Sequence, residues 1–205
     1  MNQCFNIFKG DLYESSRLMI LGEAHVCGEC DPAQCQQVKG KDCLDGHIRL
    51  IFQQILGGHL PTYKRLEKEF LGHSIESAEE RCQFYNQFII TNFLDIAMPQ
   101  SGMAPEEMFY SEACRERFLN LIRTYQPRCL FVLGDRVWSH LPGDDKDMWS
   151  KESITLDGDS FDLWTLHCDG LEVRTLKLLH PAWRAMTQAH FQRMKRQIDY
   201  VERNS

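Results

Sequence analysis

Short apolar runs, each closed by a glycine or a polar residue, alternate along this chain with segments of helical spacing. Leu18-Met19-Ile20-Leu21 is unbroken and stops at Gly22, the pattern of a short strand buried on both faces. Phe88-Ile89-Ile90 is aromatic and β-branched and reads as a second strand, with Thr91-Asn92 behind it. Cys129 to Leu133 is a third, closed by Gly134. Phe161 to His167 and Leu171 to Leu179 flank Asp169-Gly170, the strongest short hairpin signal in the chain.

Helical patterns fill the intervals. Ile48 to Leu56 stops at Gly57-Gly58, and Pro61 opens a helix through Leu66 and Phe70 that ends at Gly72. Ser77 precedes a charged segment from Ala78 to Gln83. Pro105 with Glu106 and Glu107 predicts a helix start, since acids favour the N-terminal dipole; that helix runs through Phe118, Leu119 and Ile122 to Tyr125, before Pro127. A short helix around Val137 leads to Pro142, and a last one spans Pro181 to Val201. Strands alternating with helices predict an α/β fold: a single-domain, three-layer α/β/α arrangement with a mainly parallel central sheet. A length of 205 residues suits one such domain, and the chain shows no repeat or low-complexity linker.

Composition adds a compartment and a metal question. Hydrophobic residues make up 43% of the chain and charged ones 25%, an ordinary soluble balance. No apolar run nears membrane-spanning length, and MNQCFNIFKGD is not a signal-peptide pattern, so a cytoplasmic protein with no membrane partner is expected. Nine cysteines, an odd number, then favour reduced thiols or a metal site over a disulfide framework. Four of them crowd the polar stretch from Cys27 to Cys43, which is long for a simple connection. Cys27, Cys30, Cys35 and Cys43 offer four thiolates, suited to tetrahedral zinc first and an iron–sulfur cluster second. Their spacing is not that of paired zinc knuckles, and a loop of free thiols is the alternative. His25 and His47 are possible added ligands. Cys4, Cys82, Cys114, Cys129 and Cys168 read as packing residues, Cys129 most clearly.

The net charge of -6 counts against tight nonspecific binding to nucleic acid. Arg184, Arg193, Lys195, Arg196 and Arg203 crowd the C-terminal segment; they read as a solvated helix face, with a phosphate-facing patch as the alternative.

Candidate chemistry sits where the strands stop. In an open α/β sheet, ligands bind beyond the carboxyl ends of the strands. Glu23 in Gly22-Glu23-Ala24-His25, Asn92 in Ile90-Thr91-Asn92, and His180 in Leu178-Leu179-His180-Pro181 all occupy such ends. An acid, an amide and an imidazole are thus expected to converge in one pocket.

These segments, in this order, resemble the uracil-DNA glycosylase superfamily, closest to its bacterial and archaeal iron–sulfur-type branch. Gly22-Glu23-Ala24 matches a Gly-Glu-Ala-Pro-Gly motif, with His25 in place of the proline. Ile90-Thr91-Asn92, Pro99 and Pro105-Glu106-Glu107 follow the second motif; Leu133-Gly134 and His180-Pro181-Ala182 follow the last two. The resemblance covers Leu18 to Met186. It implies a uracil-DNA glycosylase-like fold and a hydrolase that cleaves a base–sugar bond in a nucleic acid or nucleotide. Glu23 would orient water, Asn92 would read the base edge, and His180 would donate to the base oxygen that gains charge. Gly22, Ala24 and His25 would line the substrate site. Asn86 is the runner-up for the base reader.

Two departures bear on the substrate. The family's stacking aromatic has no counterpart in Lys41 to Gly46, where Leu44 or His47 would have to serve. The cysteine loop replaces a short substrate-contacting loop, and its spacing differs from the family's cluster. A non-catalytic nucleotide or modified-base sensor with a metal-stabilised loop is therefore the second reading. A metal-dependent hydrolase centred on the cysteine–histidine loop is the third. The chain has no Gly-x-Ser-x-Gly, no phosphate-binding Gly-x4-Gly-Lys-Ser/Thr and no Gly-x-Gly-x-x-Gly, so serine-hydrolase, nucleotide-triphosphatase and dinucleotide readings lack support.

Overall fold

A computed structural model describes residues 7–27, 55–58, 60–99, 104–143, 147–180 and 186–205. The chain enters on a short strand, β1 (Ile7–Lys9), and a single helical turn, α1 (Tyr13–Ser16). The apolar run predicted first is strand β2 (Leu18–Gly22), followed at once by a three-residue strand, β3 (His25–Cys27). Helix α2 (Pro61–Leu71) starts at its proline and ends at Gly72 as the pattern predicts. Helix α3 (Ala78–Tyr85) is capped by Ser77, whose hydroxyl accepts from the Glu80 amide at 3.1 Å. Strand β4 (Phe88–Asn92) runs two residues past its apolar core, and β5 (Ala97–Pro99) follows.

The helix expected from Pro105 divides. Glu106–Met108 forms only a 3-10 turn, and α4 (Glu112–Tyr125) begins afresh at Ser111. The Ser111 hydroxyl accepts from the Cys114 amide at 3.2 Å, a cap that outcompetes the proline start. Strand β6 (Cys129–Leu133) and the short helix α5 (Asp135–Trp138) lie where predicted. Next come β7 (Trp149–Leu156), β8 (Asp159–Cys168) and β9 (Leu171–Leu178). Both hairpins turn on an Asp-Gly pair, Asp157-Gly158 and Asp169-Gly170, with φ positive at all four residues. The last helix, α6, spans Gln188–Arg203, so it starts seven residues after Pro181; Thr187 caps it, accepting from the His190 amide at 3.2 Å. Of the helix expected at Ile48 to Leu56, only Ile55 and Leu56 are described, and both are helical.

The main sheet has the order β1-β4-β2-β6-β9-β8-β7. The four central strands, β4, β2, β6 and β9, run parallel; β1 and β8 pair antiparallel with the outer two of these, and β7 pairs antiparallel with β8. The sheet is therefore mixed, with a parallel centre, because two tight turns force β7–β8–β9 into a meander.

Alternate residues of the central strands feed two cores. Met19, Leu21, Ile89, Leu130 and Val132 pack with Phe118, Leu119 and Ile122 of α4. Leu18, Ile20, Phe88, Cys129 and Phe131 pack with Leu66 and Phe70 of α2, Phe84 of α3, and Met194 and Ile198 of α6. That two-sided burial is why these strands read as continuous apolar runs. One charged network joins α2 to α3 inside the second core. Fully buried Glu67 accepts from Arg81 Nε at 2.8 Å and from the Ile75 amide at 3.1 Å. Its partners are complete, as a buried charge requires.

Candidate active site

Among the parallel strands, β4 follows β2 on one side and β6 follows it on the other. Strand order thus reverses between β2 and β6, the switch point outside which ligands bind in doubly wound sheets. Glu23 leaves β2 at this point.

Asn92 ends the neighbouring strand in register with Gly22. The two are so close that a Cβ on Gly22 would lie 2.4 Å from Asn92 Oδ1, so glycine is what leaves room for the amide. Arg117 of α4 fixes this corner. Its NH1 donates to the Asn92 and Phe93 carbonyls at 2.5 and 3.2 Å, and its guanidinium lies 3.7 Å from Asp95. Past the sheet, β3 and β5 pair parallel, with His25 opposite Ala97 and Cys27 opposite Pro99. The first two motif segments therefore continue side by side.

On the other side of the switch point, the Gly134 amide donates to the Leu178 carbonyl at 2.9 Å and holds the ends of β6 and β9 together. His180 follows β9. A Cβ on Gly134 would come within 3.0 Å of His180 Cβ, so a side chain there would push the imidazole. His180 is exposed, yet desolvation of its ring lowers its proton affinity, with the charge of Glu23 pulling the other way. Glu23 and His180 are thus within electrostatic reach of each other.

Glu23, Asn92 and His180 lie at one edge of the sheet, with Gly22 between the first two. Ala24 is half-buried beside Glu23. Asn86 lies before the start of β4, at the opposite edge. Its side chain faces Cys82 Sγ at 3.5 Å, so the sheet separates it from His180. Besides Arg117, two further cations at this edge have no place in the motif reading. Arg136 of α5 donates to Glu23 Oε1 at 2.5 Å, and Lys177 of β9 lies 2.6 Å from Asp135. The sequence signal for Arg136 is its place two residues beyond a strand-ending Leu-Gly.

Of the cysteine set, Cys30, Cys35 and Cys43 lie outside the described residues, as do Leu44 and His47, and only the backbone of Cys27 and His25 is described. Among the described residues, no cluster of histidine, cysteine and carboxylate side chains is arranged to hold a metal. Cys129 is fully buried, and burial pushes its thiol up to about 11, as a packing cysteine should behave. The basic residues of α6 are largely ion-paired: Lys195 with Asp199 at 2.5 Å and Arg196 with Asp159 at 3.0 Å. Those pairs suit a solvated helix face; Arg184 of the same cluster lies outside the described residues. No described helix is long and apolar enough to cross a membrane. No protein-family model matches the chain, and no curated protein matches it.

Proposed function

We propose that this chain is an N-glycosylase-like hydrolase of the uracil-DNA glycosylase-like fold, cleaving a base–sugar bond in a nucleic acid or nucleotide. One observation carries the reading: a carboxylate, an amide and an imidazole gather at the carboxyl ends of parallel strands, around the switch point. Departure of a base leaves an oxocarbenium-like sugar. Glu23 orients the attacking water and faces the developing positive charge. His180 donates a hydrogen bond from a ring N–H to the base oxygen that gains negative charge. Asn92 pairs with the base edge through its donor and acceptor. A duplex substrate would have to be flipped out of the stack. Cys27, Cys30, Cys35 and Cys43 keep their reading as a structural zinc site, ahead of an iron–sulfur cluster.

The experiment is a screen of single-stranded oligonucleotides and free nucleotides carrying deaminated bases. It reads free base and the alkali-labile abasic site. Release by the wild type, abolished in Glu23→Gln, supports the assignment. Binding without release would replace it with the nucleotide sensor.

A further inference from the structure

Arg136 ties together segments that are far apart in sequence. Its NH1 donates to Glu23 Oε1 at 2.5 Å, and its NH2 donates to the Ala104 carbonyl in the loop after Pro99. Its guanidinium lies 4.6 Å from the centre of the Phe109 ring. Phe109 is itself buried and stacks on Phe93, the residue after Asn92, at 5.9 Å and 15°. Arginine alone among the cations can hold two acceptors in a planar fork while its face rests on a ring. The pair is also partly shielded, with the Glu23 side chain 22% exposed. Only Oε1 is tethered; among the described residues Oε2 accepts no hydrogen bond.

We propose that Arg136 is the positioning residue for Glu23. It pins Oε1 so that Oε2 faces the water, and it locks the Ala104–Phe109 segment against the same edge. This rests on the reading in which Glu23 orients the nucleophile. The guanidinium touches neither water nor base; it acts through Glu23. A misplacement near 1 Å in such a group costs about 10²-fold in rate.

The test measures single-turnover base release by the full chain on a uracil-containing single-stranded oligonucleotide. It compares wild type, Arg136→Lys, Arg136→Gln, Glu23→Gln and the double variant Glu23→Gln/Arg136→Gln. Arg136→Gln should lose about 10²-fold in the chemical step, with oligonucleotide affinity nearly unchanged. Arg136→Lys should recover part of that loss. The double variant should be no slower than Glu23→Gln alone, because the two residues act as a unit. A wild-type rate in Arg136→Gln overturns the proposal, as does a double variant in which both losses multiply. Side-chain nitrogen NMR reads the tether without turnover. Rotation about the guanidinium Nε–Cζ bond should be hindered in the wild type and faster in Glu23→Ala, which removes the acceptor while the Ala104 carbonyl remains. Free rotation in the wild type overturns the proposal whatever the activity. Hindered rotation with no base release supports the tether and sinks the glycosylase reading instead.

Discussion

His180 sits where two electrostatic demands meet. Desolvation disfavours its charged form and Glu23 favours it, and the net effect is downward from 6.5. The neutral ring therefore predominates at pH 7, with one nitrogen still able to donate. A donor to a developing oxyanion is worth about 10²–10³-fold in rate, so His180→Ala should lose that much base release. The ratio of wild-type to variant rate should stay constant from about pH 7 to pH 8.5, because a neutral donor does not titrate there. A ratio that collapses across this window would make the donor an imidazolium and refute the assignment. Asn92→Ala should blur discrimination between bases, whereas Asn86→Ala, at the far edge of the sheet, should leave it intact. Glu23, Asn92 and His180 are legible in the sequence because each interrupts an apolar run. Arg136 and Arg117 are not, because an arginine on a helix reads as solvent-facing until its partners are known. Their acceptors lie 113 and 25 residues away in the chain, a separation that no local pattern reveals.

Elements differ in how openly they announce their limits. Gly72 and Ser77 mark the end of α2 and the start of α3 because caps are local chemistry. Ser111 carries the same signal for α4 but is masked by the proline and two glutamates before it. Strand β7 escapes the apolar pattern although Asp157-Gly158 repeats the turn signal of Asp169-Gly170. Its residues are mostly exposed, so no apolar run marks it. The packing of α6 on α2 hides a further ionisable group that sequence could not place. Glu69 of α2 is fully buried, with Oε1 3.5 Å from His190 Nε2 of α6 and Oε2 unpartnered among the described residues. Burial pushes Glu69 up to about 8 and lowers His190, where Arg193 adds to the effect. The unfolded chain releases the glutamate proton near 4.5 and the folded chain near 8, so stability falls as pH rises between those values. Each tenfold change in proton affinity is worth about 1.4 kcal/mol, so the loss is on the order of a few kcal/mol. Below pH 6.5 the lowered His190 works the other way, and acid destabilises. Glu69→Gln cannot ionise. Its melting temperature should match the wild type near pH 5 and exceed it at pH 8.5, and a difference that ignores pH would show that Glu69 does not titrate there.

For the molecule as a whole, the parallel centre of the sheet is readable because strands buried on two faces leave an unmistakable pattern. The antiparallel flanks are only half readable, since the pairing of β1 with β4 depends on a contact across the chain. The candidate ligand site likewise draws on distant parts of the chain, whereas the candidate metal ligands share one short stretch. If Cys27, Cys30, Cys35 and Cys43 hold zinc, removal by a chelator should lower the melting temperature, because metal binding is coupled to folding. An unchanged melting curve in reduced, freshly purified protein would leave four free thiols. The charge balance sets the last expectation. The net charge is -6, and the cations at the candidate site face the chain's own carboxylates: Arg136 with Glu23, Lys177 with Asp135, Arg117 with Asp95. A nucleic-acid phosphate binding at one of these cations would have to displace a carboxylate and not only release a counterion. For single strands the logarithm of affinity falls with that of salt by about 0.7 per neutralised phosphate. A contact through Lys177 alone would give a slope of about -0.7 on that rule. Titrating an oligonucleotide at several salt concentrations measures the slope directly. A value near -5 would require about seven neutralised phosphates, hence an extended basic groove, and would contradict recognition centred on the base.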